Sequence, residues 1–177
     1  MATKVTSHVL SNDALAKERN LLINGGMNVW QRSTSATSIS ADTVPYRTVD
    51  RLTHGLNIGG IWTMSQSTDT PSAQGFAYSY KLECTNDTSM GNAASELTLQ
   101  QRIEGQNLQH LLKGTSSAKP LTLSFWIKSN KTGTYIAELY DQDNTRQISN
   151  SYTIDSASTW EKKIITFPGD TTGTLDN

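Results

Sequence analysis

Along most of this chain apolar side chains recur at every second position, in short runs cut by glycine, asparagine and aspartate. The clearest run is residues 76–84. Phe76, Tyr78, Tyr80, Leu82 and Cys84 fall on one face and Ala77, Ser79, Lys81 and Glu83 on the other, which is the period of a half-buried strand. Residues 97–103 keep that period and predict Leu97, Leu99 and Ile103 inward. Residues 121–128, 134–141, 148–154 and 160–167 add four more strands, with turns at 129–133 and 141–144. Leu108, Leu111 and Leu112 predict one helical turn stopped at Lys113-Gly114, where a glycine C-cap belongs. Evenly spaced short strands of this kind predict an all-β fold, an antiparallel two-sheet sandwich.

The first third is less regular. Residues 20–32 read as a short apolar strand, a turn whose paired glycines Gly25 and Gly26 permit positive φ, and a second run carrying Trp30 and Arg32. Residues 32–45 are rich in serine and threonine and close on Pro45, which predicts a long surface loop. Gly55, Gly59 and Gly60 then punctuate short runs holding Leu56, Ile58, Ile61 and Trp62. Residues 1–19 have few apolar positions, and Ser11-Asn12-Asp13 would cap a short helix over residues 14–17. Such a helix is too short to stand alone in water. The segment is an arm ordered by packing on a partner, or an ordinary frayed terminus.

Composition narrows the function. The 177 residues suit one domain plus that arm, and a hydrophobic content of 35% with only 18% charge leaves a polar, uncharged surface. Fifteen basic against sixteen acidic side chains, with no basic block, argue against nucleic acid as a partner. No apolar run approaches the length that crosses a bilayer, and no secretory leader is visible at the N-terminus, so membrane insertion is not expected. Cys84 is the single cysteine, which excludes an intrachain disulfide; its alternating context predicts a small buried apolar residue. The histidines His8, His54 and His110 form no local motif with it.

No catalytic signature emerges. Asp50, Glu83, Glu96, Glu104, Glu138 and Asp141 show no spacing that selects a pair for glycoside cleavage, and there is no metalloprotease, nucleophile-elbow or phosphate-loop motif. The expectation is therefore no enzyme, no cofactor and no metal. Asp141, Asp143 and Asn144 offer three oxygen ligands in four residues, yet a plain turn accounts for them more simply than calcium. Sugar binding is better served, because it needs an aromatic platform with polar groups beside it. Leu121, Leu123, Phe125 and Ile127 share the core face of their strand, which leaves Trp126 outside with Thr122, Ser124 and Lys128. Tyr140, on a face with Ile136 and Glu138, would extend that platform. The alternative for Trp126 is packing under a loop or a neighbouring subunit. Trp30 and Arg32 are assigned a structural role, with the Asp50-Arg51 pair as a buried charge partner for Arg32; Trp62 and Trp160 are read as core or edge fillers.

The stretch "NLLINGGMNVWQR" at residues 20–32, answered by "YRTVDRL" at residues 46–52, resembles the opening of a β-sandwich family found in phage tail fibres and other virion appendages. "LQQRIEG", "LTLSFWIKS", "TGTY" and "TWEK" carry the likeness onward and are similar to the core strands of jelly-roll carbohydrate-binding modules. The resemblance implies a jelly roll over residues 20–177, a virion location, docking to other virion proteins through residues 1–19, and adhesion to host-surface glycan. A homo-oligomer, a trimer by analogy, is implied in the same way. Family members continue into further strands after a turn like residues 168–177, so the region is either the whole domain or its first part. The other readings are a head or tail decoration protein without a host ligand and, lower, a glycan-degrading fibre.

Overall fold

The computed structural model describes residues 20–40, 46–57, 59–86 and 96–174. The arm over residues 1–19 with its short helix, Pro45, Ile58 and residues 175–177 lie outside the described residues. Among the described residues nine strands form: β1 (Ser35–Ile39), β2 (Thr53–Asn57), β3 (Ile61–Ser67), β4 (Ser79–Asn86), β5 (Glu96–Gln100), β6 (Leu121–Ile127), β7 (Gly133–Asp141), β8 (Arg146–Ile154) and β9 (Glu161–Phe167). Two single 3-10 turns, Gly105–Asn107 and Gln109–Leu111, are the helical pieces. The described residues make an all-β fold, and every ladder among them is antiparallel. The strands form four small sheets, β1-β3-β4, β2-β5, β6-β9 and β7-β8, rather than two large ones.

Two apolar clusters hold these sheets. Ile39, Leu56, Trp62 and Met64 are buried together, with Ala36, Tyr80 and Leu82 packed against them, so β2 closes on the three-stranded sheet. Ala137, Ile165 and Phe167 form the second cluster, covered by Leu123, Phe125, Leu139, Ile148 and Tyr152. That cluster joins β6-β9 to β7-β8 through side chains, and Phe125 meets Tyr152 edge to face at 5.1 Å. A two-stranded ribbon alone is marginal in water. Burial of one face of each pair against the other is what makes these two persist.

Local polar groups set the connections. The Glu161 carboxylate accepts the Asp155 and Ser156 N–H groups at 3.0 and 2.7 Å, which fixes the turn between β8 and β9. The β7-β8 hairpin closes where Asn144 N donates to Asp141 Oδ1 at 3.3 Å, with Thr145 at φ 50°.

Several expectations are corrected. Residues 32–45 are not all loop: Ser35–Ile39 is β1, paired with β3 across a bulge at which Ser38 takes φ 57°. Ala36 and Ile39 supply the two apolar contacts that a short edge strand needs. Residues 20–32 form no strand, and it is Asn24 (φ 59°) and Met27 (φ 54°), not Gly25 and Gly26, that take positive φ. The helical turn over Leu108–Leu112 is two 3-10 turns, and Leu112 rather than a glycine is the first left-handed residue after them. Leu97 and Leu99 are 39% and 46% exposed, because β5 pairs with β2 alone and lies at the margin of the cluster that buries Leu56 opposite. Cys84 is exposed rather than buried, although it shares the face of Tyr80 and Leu82 and stands opposite Trp62 of the packed cluster.

Candidate functional site

Strands β6 and β9 run antiparallel with Thr122 opposite Thr166, Ser124 opposite Ile164 and Trp126 opposite Lys162. Directly opposed residues share a face, and the alternate residues Leu123, Phe125, Ile165 and Phe167 belong to the core cluster. Trp126, Lys162, Ser124 and Ile164 therefore stand on the outer face. Ile164 is 64% exposed there, Lys162 is exposed, and the Thr122 and Thr166 hydroxyls meet at 3.1 Å. Trp126 is part-buried.

One end of this face is closed by a three-way contact. Asp69, in the loop after β3, accepts from Lys128 Nζ at 2.5 Å and from Trp160 Nε1 at 2.9 Å, and Lys128 lies 5.9 Å from the Trp160 ring centroid. The Lys128 ammonium, and after it the indole N–H, hold the Asp69 carboxyl below the usual carboxylate range. Lys128 was assigned to ligand binding by its position, and its charge is committed to Asp69.

The indole N–H groups separate the four tryptophans. Trp30 donates to Met27 O, Trp62 to Gly59 O at 3.2 Å and Trp160 to Asp69. The Trp126 indole N–H makes no hydrogen bond to any described residue, and it is not a buried orphan. A tryptophan on a sheet surface with its donor unspent, a hydroxyl at Ser124 and an ammonium at Lys162 can stack on a flat apolar ring and hydrogen-bond the polar groups around its edge.

Tyr140 and Glu138 lie elsewhere. They occupy the face of β7-β8 turned away from the same core cluster, with Ile136; Ile136 is 69% and Tyr140 54% exposed, and Glu138 accepts from Ser149 Oγ at 2.8 Å. The core lies between the two outer faces, so Tyr140 does not extend the Trp126 platform.

The opening motif is a clasp. Asn24 Oδ1 accepts from the N–H groups of Asn28 and Val29, both at 3.0 Å, while Asn24 Nδ2 donates to Val29 O and Asp50 O, both at 3.0 Å. Asp50 accepts from Gln31 N at 2.6 Å and pairs with Arg32 at 2.8 Å. The pair is not buried as expected, since the Arg32 side chain is half exposed and lies over the Tyr46 ring. Arg51 is exposed and stands outside it. Trp30 stacks on Tyr80 at 6.2 Å, which ties the motif to β4. Gln101 completes it by exchanging two hydrogen bonds with the Ile23 main chain, at 2.7 and 2.8 Å, in the place a strand neighbour would take.

Around the turn at 141–144, Asp141 and Asn144 are already engaged. Lys113 binds Asp141, and Asn144 Nδ2 donates to Asp141 Oδ2 at 3.1 Å and to Thr174 O at 3.2 Å. Burial pushes the Asp141 carboxyl up, but Lys113 and Asn144 outweigh it and leave the group below its ordinary value. Next to it Asp170 accepts from Arg146 Nε and Nη2 at 3.0 and 2.8 Å and from the N–H groups of Thr172 and Gly173 at 3.1 and 3.0 Å. These donors, Arg146 foremost, hold its carboxyl far below the carboxylate range. Among the described residues no group of three metal-ligating side chains converges.

Lys162, Ile164, Asp69, Asn24 and Gln101 were not singled out from the sequence. Alternation along residues 160–167 does place Lys162 and Ile164 on one face; what the sequence withholds is the register that sets them beside Trp126. No family model, no curated protein and no solved structure matches the chain.

Proposed function

We propose that this chain is a virion appendage subunit of the phage tail-fibre kind, whose strand pairs form part of a jelly-roll sandwich and whose β6-β9 outer face adheres to host-surface glycan. The appendage setting is supported by the opening motif and by "LTLSFWIKS", "TGTY" and "TWEK", the last three of which lie on or beside β6, β7 and β9. The adhesive site is supported by one observation above all: Trp126 is the tryptophan whose indole N–H is left for an outside acceptor. A pyranose would lay its apolar face on the indole and direct its hydroxyls to that N–H and to Ser124. Each contact is weak, and several copies on one particle multiply it by avidity. Attachment to the particle falls to residues 1–19, and threefold assembly is taken by analogy.

The test is a glycan-array and host-surface binding measurement on the intact oligomer and on Trp126→Ala. Adhesion predicts that Trp126→Ala loses at least about tenfold in affinity, the scale of one aromatic stacking contact, with oligomer size and strand content unchanged. Retention of full binding by that variant would remove the site.

A second reading, a decoration protein without a host ligand, is favoured by Ile136 and Tyr140, which are more exposed than Trp126 and suit burial against sister or neighbouring virion subunits. It predicts an intact assembly with no affinity for any host saccharide.

A further inference from the structure

We infer that the glycan taken by the β6-β9 face is anionic, carrying a carboxylate or sulfate; the inference rests on the adhesive reading of Trp126 and names the class of sugar. It follows from how the charges around that residue are distributed. Lys162 is the cross-strand partner of Trp126, so their Cβ atoms lie about 5 Å apart on one face. Its side chain is exposed and forms no ion pair with a described residue.

The neighbouring lysines differ. Lys128, on the same face, is neutralised by Asp69. Lys163, turned to the other side, is held by Glu161 at 2.5 Å and Asp155 at 3.4 Å. The remaining outer-face residues of the two strands, Thr122, Ser124, Ile164 and Thr166, carry no acid. Asp69 is the carboxylate at hand, and two donors already occupy it. The platform thus carries one uncompensated positive charge next to the indole N–H and the Ser124 hydroxyl.

A neutral ring stacked on Trp126 offers that ammonium only uncharged acceptors, in competition with water. A ring bearing an anion turns it into a charge-assisted hydrogen bond, stronger than a neutral one, while the indole N–H and Ser124 serve the remaining oxygens. Because Lys162 is exposed, its replacement disturbs no packing, so variants there report on the ligand rather than on folding.

The experiment measures binding of the intact oligomer to matched neutral, carboxylate-bearing and sulfate-bearing saccharides, for wild type, Lys162→Gln, Lys162→Glu and Trp126→Ala. Wild type is expected to favour at least one anionic set by about tenfold, with the preference shrinking as salt is raised. Lys162→Gln should erase the preference, Lys162→Glu should invert it, and Trp126→Ala should weaken all sets. Whichever anionic set is favoured identifies the anion. Equal affinity for neutral and anionic sugars, or a preference that survives Lys162→Gln, overturns the inference, and the adhesive reading stands if Trp126→Ala still abolishes binding. A folded oligomer that binds none of the three sets overturns both.

Discussion

Asn24 holds the opening turn more firmly than the glycines beside it. Its side chain makes four hydrogen bonds to main chain on both halves of the motif, and its backbone already sits at φ 59°. A Cβ added at Gly25 would meet nothing nearer than ordinary contact, with Leu22 at 3.8 Å. Asn24→Gly keeps the left-handed backbone and removes only the side-chain bonds, so it is expected to cost about 1–3 kcal/mol, whereas Gly25→Ala should stay within about 0.5 kcal/mol. Chemical denaturation of the two variants checks the ordering, and equal losses would contradict it. A glycine pair announces a turn, but which residue turns left-handed depends on where hydrogen-bond acceptors lie, and those come from Asp50 and Val29 after folding. The Arg32–Asp50 pair was more legible, because an arginine and an aspartate flanking the two halves of one motif have few other places to go; its half-exposed setting was not.

At the scale of elements, β6 to β9 could be read almost to their ends, since each carries several alternating apolar residues that the second cluster buries. β1 and β5 were poorly read for the opposite reason. β1 has two apolar contacts among serines and threonines, and the leucines of β5 alternate cleanly yet remain exposed. Periodicity reports which residues could share a face, not whether anything covers it. The end of β9 is secured by Asp170, whose carboxylate gathers Arg146 and two main-chain N–H groups. Its carboxyl lies well below the value of about 3.9 that an aspartate has in an unfolded chain. The stabilisation it gives is therefore complete above roughly pH 4 and declines as pH falls below that, toward the folded-state value. Asp69, Asp141 and Glu161 shift in the same direction and add to the decline. Melting temperature measured from pH 7 down to pH 3 should fall in the acid range, and less steeply in Asp170→Asn, which starts lower. An acid decline unchanged by Asp170→Asn would contradict the role of this carboxylate.

At the scale of the whole molecule, the all-β class followed from the alternation alone, while the arrangement into four small sheets did not. Pairing is a long-range choice: β6 skips the β7-β8 hairpin to take β9, and only that choice brings Lys162 and Ile164 to Trp126. The same topology sends Tyr140 to the far side of the shared core, which divides the platform expected from the sequence into two separate faces. One of them has a tryptophan whose donor and a lysine whose charge have no partner among the described residues; the other has exposed isoleucine and tyrosine. On the proposed reading the first takes a saccharide and the second meets protein. The most direct test is a two-dimensional 15N–1H spectrum of the indole region during titration with host saccharide, the four signals assigned by single Trp→Phe replacements. Adhesion through this face predicts that the Trp126 signal moves and saturates while those of Trp30 and Trp62, whose N–H groups are bonded within the fold, stay in place. A still Trp126 signal alongside measurable saccharide binding, or a shift centred on Trp30 or Trp62, would contradict it.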